Sequence, residues 1–141
     1  MTKLSLTDEQ RCDIVRYRLE NALSTLSEVE SHKTNGFYNT AVNRLYYACY
    51  YAATAMLISL KIDVKSHDGV RQSIGQHVVL SGILSPEQGR FYSRLFSKRS
   101  AGDYDDFFNH SLSTVEELMP QAYQFVDTLR IKLEAWLNDN N

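Results

Sequence analysis

Glycine and proline are scarce in this chain, six and two of 141 residues. No stretch alternates apolar and polar residues at the period of a strand. That combination excludes a turn-rich sandwich or barrel and points to an all-α protein. There are only two cysteines, Cys12 and Cys49, and both fall within helical patterns. No disulfide framework or metal-ligand spacing is visible, so both are expected as buried thiols in a reducing compartment, with no metal and a cytoplasmic location. Basic charge is not in excess: 15 Lys and Arg stand against 17 Asp and Glu, a net charge of −2. This excludes a wholly basic nucleic-acid binder but not a local basic patch. Long hydrophobic runs are missing too. The longest uncharged stretch, residues 45–60, has 16 residues, whereas a span needs about 20, so a buried helix and no membrane segment are expected. The N-terminal "MTKLSLTDEQ" has no apolar signal core, and no export is expected. No glycine-rich phosphate loop is present, and no cofactor is implied.

What is present is helical periodicity. Thr7-Asp8-Glu9-Gln10 forms a capping box that opens a first helix, and Val15, Leu19, Ala22, Leu26 and Val29 give it one buried stripe. "HKTNG" ends it, with Gly36 as a left-handed cap. A second helix runs from about Tyr38 to Lys61, and a polar break, "DVKSHDG", follows. A third, shorter helix covers about residues 67–80 and closes at Gly82. Ser85-Pro86-Glu87-Gln88, a capping box with proline at the first helical position, opens a fourth. "SAGDYDD" is expected as a second break. Ser113-Thr114-Val115-Glu116 is then read as the start of a long fifth helix with Leu118, Ala122, Phe125, Leu129, Leu133 and Trp136 on its stripe, and with Pro120 as a kink or ragged first turn. Residues 1–141 therefore form one domain, an antiparallel up-and-down bundle of four to five helices.

The second helix carries the stretch "NRLYYACYYAATAMLISL", apolar yet rich in tyrosine. At 100° per residue, Ala41, Leu45, Ala48, Ala52 and Ala55 share one face, small enough for a neighbouring helix to approach closely. Asn43, Tyr46, Tyr47 and Tyr50 share the opposite face, with Arg44 and Tyr51 at its edge. A helix apolar or aromatic nearly all round is covered on all sides. The tyrosine face must meet more protein, a further helix or a second subunit. Tyrosine suits a surface with one apolar end and one wet end, so an interface or cleft is favoured over a core with every hydroxyl bonded internally.

Three blocks together resemble one family: "GFYNTAVNRLYYA" at 36–48, "KSHDGV" at 65–70 and "LFSKRSAGDYDDF" at 95–107. They are similar to the HEPN superfamily, higher eukaryotes and prokaryotes nucleotide-binding, in its small stand-alone prokaryotic branch. The resemblance implies a helical bundle that pairs as a homodimer. It also implies a metal-independent endoribonuclease, or a toxin-like module paired with a minimal nucleotidyltransferase antitoxin. Active members carry an arginine followed by a histidine after four to six residues. Arg99 matches that arginine, but the histidine positions hold Tyr104, Asp105 and Asp106. A tyrosine with a pKa near 10 is a poor general base, and Asp103 or Asp105 accepts a proton but is a weak acid catalyst. The branch then uses another histidine, cleaves weakly, or only binds.

On this reading Arg99 holds phosphate, Asp103 and Tyr104 complete the catalytic group, and Asn43, Arg44 and Tyr47 shape the cleft. Arg90, Arg94 and Lys98 form a ridge of like charge leading towards Arg99. Such a ridge suits either a phosphate backbone or a solvated face relieved by Glu87. The spacing of Arg71 and His77 matches the loose motif by coincidence. His67 is read as a turn or N-cap neighbour able to face the cleft, His32 as a favourable charge at a helix C-terminus, and His110 as too late for the motif. The alternative is a non-catalytic module that binds a nucleotidyltransferase partner and presents Tyr104 for nucleotide modification.

Overall fold

The computed structural model describes residues 5–106 and 108–140, and no strand occurs among them. The helices are α1 (Asp8–Ser27), α2 (Val29–Thr34), α3 (Tyr38–Ser59), α4 (His67–Ser73), α5 (Pro86–Tyr104) and α6 (Leu112–Asn140). The chain is an all-α helical bundle in which α3 is central, packed by α1, α5 and α6. The small face of α3 explains this position. Ala41, Leu45, Ala48, Ala52 and Ala55 are all fully buried, so neighbouring helices approach its backbone closely. The stripe of α1 (Val15, Leu19, Ala22) and that of α6 (Leu118, Ala122, Phe125, Leu129, Leu133) close over it.

The punctuation follows local chemistry. Thr7 and Ser85 both form complete capping boxes, with Gln10 and Gln88 reaching back to the cap backbone. Gly36 and Gly82 adopt φ of +78° and +85°, the left-handed conformation that ends a helix.

Four expectations are corrected. The first helix is two: Glu28 interrupts it, its N–H bonding back to Leu26 and Thr25 carbonyls in the tighter pattern of a helix end. The second half of the third helix, Ile74–Val79, is a π-helix. The long last helix is capped two residues earlier than Ser113. Ser111 Oγ accepts from Thr114 N–H at 3.2 Å, and α6 passes through Pro120 unbroken. "SAGDYDD" is not a break at its start, because α5 continues through Ser100, Ala101, Gly102 and Asp103 to Tyr104. Gly102 lies under the ring of His110, where an added Cβ would sit 3.0 Å from Nε2. Glycine there serves close packing within a helix rather than a turn.

The connection between α5 and α6 is pinned to the first turn of α3. Asn39 Nδ2 donates to the carbonyls of Gly102 (3.4 Å) and Phe108 (3.1 Å), and its Oδ1 accepts from His110 N–H at 2.7 Å. His110, 6% exposed, donates from its ring Nε2 to Lys98 O at 2.8 Å. This lock sets the end of α5 against α3, and the end of α5 carries Arg99, Asp103 and Tyr104.

Candidate functional site

Arg99 lies on the buried stripe of α5, in register with Phe91, Tyr92 and Leu95. Only 5% of it is exposed. Its guanidinium carbon lies 4.5 Å from the ring centre of Tyr46, 5.6 Å from Tyr47, 6.0 Å from Phe96 and 5.7 Å from Tyr104. Four aromatic rings therefore surround one cation. Its bonds are few. Nη1 donates to Tyr104 Oη at 3.3 Å and lies 3.6 Å from Asp103 Oδ2. Among the described residues, buried Nε has no acceptor. Burial is the largest single influence on the Arg99 pKa and lowers it, but the phenols of Tyr46, Tyr47 and Tyr104 together turn the net direction upward. Burial raises the pKa values of Tyr46, Tyr50 and Tyr92, so these phenols are neutral at pH 7. The site holds a buried cation whose paired carboxylate, that of Asp103, is itself partly exposed.

Asp103 follows Arg99 by one helical turn, the spacing that brings the two side chains together. Asn43 on α3 fixes the carboxylate, donating from Nδ2 to Asp103 Oδ2 at 2.9 Å. Arg44 in turn donates to Asn43 Oδ1 from Nε (3.0 Å) and Nη2 (2.8 Å), and lies 5.3 Å above the Tyr47 ring. The structure thus brings Arg99, Asp103, Tyr104, Asn43, Arg44 and Tyr47 into one connected group. Tyr104 is 77% exposed at the last turn of α5, so its hydroxyl covers Arg99 from the solvent side.

Arg94 and Lys98 stand apart from that group. Arg94 turns towards α6, donating to Gln121 Oε1 at 3.1 Å and pairing with Glu117 at 3.5 Å. Lys98 takes part through its backbone carbonyl, which bonds His110. The like-charge ridge is thereby partly relieved by Glu117 of α6. Arg71 pairs with Asp68 on its own helix, and His77 is exposed on the π-helix. His32 lies 3.7 Å from Glu28.

The tyrosine face of α3 resolves into two parts. Tyr46 is fully buried and packs on Tyr92 and Phe96 of α5, while Tyr47, Tyr50 and Tyr51 are half-buried. The further element covering the face is α5 together with the first residue of α4, His67. The His67 ring stacks on Tyr50 at 4.4 Å and 19°, and Nδ1 bonds Tyr46 Oη at 2.8 Å. Local sequence places it there. Ser66 caps α4, accepting from Gly69 N–H at 2.9 Å, and a Cβ at residue 69 would meet Val64 Cγ1 at 2.6 Å. The tight "SHDG" turn was visible in the sequence. Its position over the tyrosines was not.

A family model described as HEPN domain matches residues 15–132. A Thermotoga maritima protein named as a UPF0332 protein is 29% identical over 121 residues, covering 86% of this chain and 92% of the relative. Two Methanocaldococcus jannaschii proteins, each named "Putative toxin", are 26% and 29% identical, covering 77% and 84% of this chain and 74% and 88% of themselves. With the family model spanning most of its length, the chain belongs to the HEPN domain family.

Proposed function

We propose that this HEPN protein is a toxin-like, metal-independent endoribonuclease that acts as a homodimer on RNA. The observation that carries this is Arg99. A charge buried in a protein is normally matched by hydrogen-bonded partners. Here it has one carboxylate at 3.6 Å and an unpartnered Nε beneath aromatic rings. Such an arrangement is built for an anion, and a phosphodiester supplies one with oxygens in the fork geometry of a guanidinium. Tyr104 Oη occupies the Nη1 position that a phosphate oxygen would take. Because Tyr104 is at an exposed helix end, its side chain can swing aside to admit the phosphate. Asn43 and Arg44 hold Asp103 to one side, and half-buried Tyr47 lines the same cleft. The adjoining Tyr47, Tyr50 and Tyr51 surface suits a second subunit with an apolar body and wet tips.

The test is RNA cleavage in excess chelator by wild type and Arg99→Ala. Loss in the variant supports a metal-free site at Arg99. A folded wild-type dimer that leaves RNA intact supports the other reading, a non-catalytic module for a nucleotidyltransferase antitoxin. The exposure of Tyr104 at the end of α5 favours that alternative, since a modifying partner could reach its side chain once the hydroxyl leaves Arg99.

A further inference from the structure

An RNA cleavage site built on Arg99 has a cation for the phosphate but, within its motif, no group able both to take and to return a proton near neutral pH. The geometry points to His67, from outside the motif, as the group that takes the proton of the attacking 2′-hydroxyl. This assignment rests on the ribonuclease proposal above.

Arg99 and His67 flank the same two rings. Arg99 lies 4.5 Å from the Tyr46 ring centre and 5.6 Å from that of Tyr47. The His67 ring lies 5.9 Å from Tyr46 and 5.8 Å, edge-on at 87°, from Tyr47. The imidazole is held by its stack on Tyr50 and by the Nδ1–Tyr46 Oη bond, while Nε2 has no bond among the described residues. In the tautomer this role requires, Nδ1–H donates to Tyr46 Oη and the Nε2 lone pair is open on a half-buried ring. The groups facing it are the phenols of Tyr46, Tyr47 and Tyr50 from α3 and Arg99 from α5. Asp68 and Arg71 of its own helix pair with each other. No acid among the described residues bonds it. Burial first, and Arg99 second, hold its pKa below the ordinary histidine value, which keeps it a neutral base at pH 7.

The step balances without a metal. His67 Nε2 takes the proton from the 2′-hydroxyl, and the 2′-oxygen forms a bond to the adjacent phosphorus. Arg99 carries the charge that develops on the phosphoryl oxygens. The bond from phosphorus to the 5′-oxygen breaks, and that oxygen takes a proton from water. The products end in a 2′,3′-cyclic phosphate and a 5′-hydroxyl, and imidazolium returns its proton to the hydroxide left behind.

The experiment follows a short labelled single-stranded RNA of mixed sequence in excess EDTA, with rates read from about pH 5 to 8. Wild type, His67→Gln, His67→Ala, Arg99→Ala and His77→Ala are compared. His67→Gln and His67→Ala are expected to lose about 10²- to 10⁴-fold in kcat/KM. The acidic limb of the wild-type profile should vanish in both, added imidazole should restore part of the His67→Ala rate, and His77→Ala should match wild type. Wild-type cleavage and pH profile in His67→Gln, with Arg99→Ala inactive, overturn the assignment and leave the role of Arg99 standing. Loss in both His67 variants that imidazole does not relieve and that leaves the acidic limb in place also overturns it, making His67 structural. Intact RNA with a folded wild type removes the ribonuclease proposal and this assignment together.

Discussion

Arg99→Met keeps an unbranched side chain of similar length against Tyr46, Tyr47 and Phe96 while removing the charge. The lost terms are modest. The nearest cation–ring contact, at 4.5 Å, contributes about 1–2 kcal/mol when desolvated. The Asp103 pair, at 3.6 Å with a side chain 26% exposed, contributes roughly 1 kcal/mol. The Tyr104 bond is long and its residue exposed, so water replaces it. The regained terms are comparable or larger. Desolvating the guanidinium, its unpartnered buried Nε included, costs several kcal/mol, and that cost disappears with the charge. Methionine sulfur against aromatic rings adds about 0.3–1.5 kcal/mol. Asp103 is not stranded, since it is partly exposed and keeps the Asn43 bond. The expected result is a variant between unchanged and about 2 kcal/mol more stable in urea unfolding at pH 7, a rise of a few degrees in Tm, with RNA cleavage lost. A loss of about 3–5 kcal/mol, the usual result of breaking a buried pair, would refute the reasoning. Arg99 would then be a structural keystone rather than a residue retained for an anion.

Two further outcomes follow from the same contacts. Gly102→Ala gains about 1 kcal/mol of helix propensity but drives a Cβ to 3.0 Å from His110 Nε2, so a net loss of about 1–3 kcal/mol is expected from overpacking. Thermal unfolding of Gly102→Ala in wild-type and His110→Ala backgrounds checks this, because the penalty should shrink once the ring is gone. His67 is lowered in the folded state, so between its folded and ordinary pKa values the unfolded chain binds more protons. Its contribution to stability is therefore fully present above the ordinary value near 6.5 and declines as pH falls towards the folded value. Urea midpoints of wild type and His67→Gln across that window should diverge in slope, and parallel curves would contradict the shift.

The helices and most of their ends could be read from the sequence, because both come from neighbours along the chain. The capping boxes at Thr7 and Ser85, the left-handed Gly36 and most of the stripe residues at spacings of three and four are local features that stand where they were expected, whereas the third cap lies at Ser111 rather than Ser113. The errors arose where tertiary contact overrode local preference. Ser100, Gly102 and Asp103 look like a turn, yet His110 and Asn39 hold them helical, and only that extra turn sets Asp103 beside Arg99. The blocks that resemble the family singled out Arg99 and Asn43 as residue types, but the bond joining Asn43 to Asp103 spans 60 positions. Arg99 itself occupies a stripe position shared with Tyr92 and Leu95, a sign of burial that periodicity alone offered. The place of His67 had no such sign. Sequence determined the bundle and the presence of a charged, tyrosine-rich segment, since those follow from periodicity and composition. Only the packing of α4 and α5 on α3 decided that the charge is buried beneath those rings and that an imidazole stands beside it. Contacts between residues far apart in the chain are set by how helix faces fit together, and no local pattern encodes that fit.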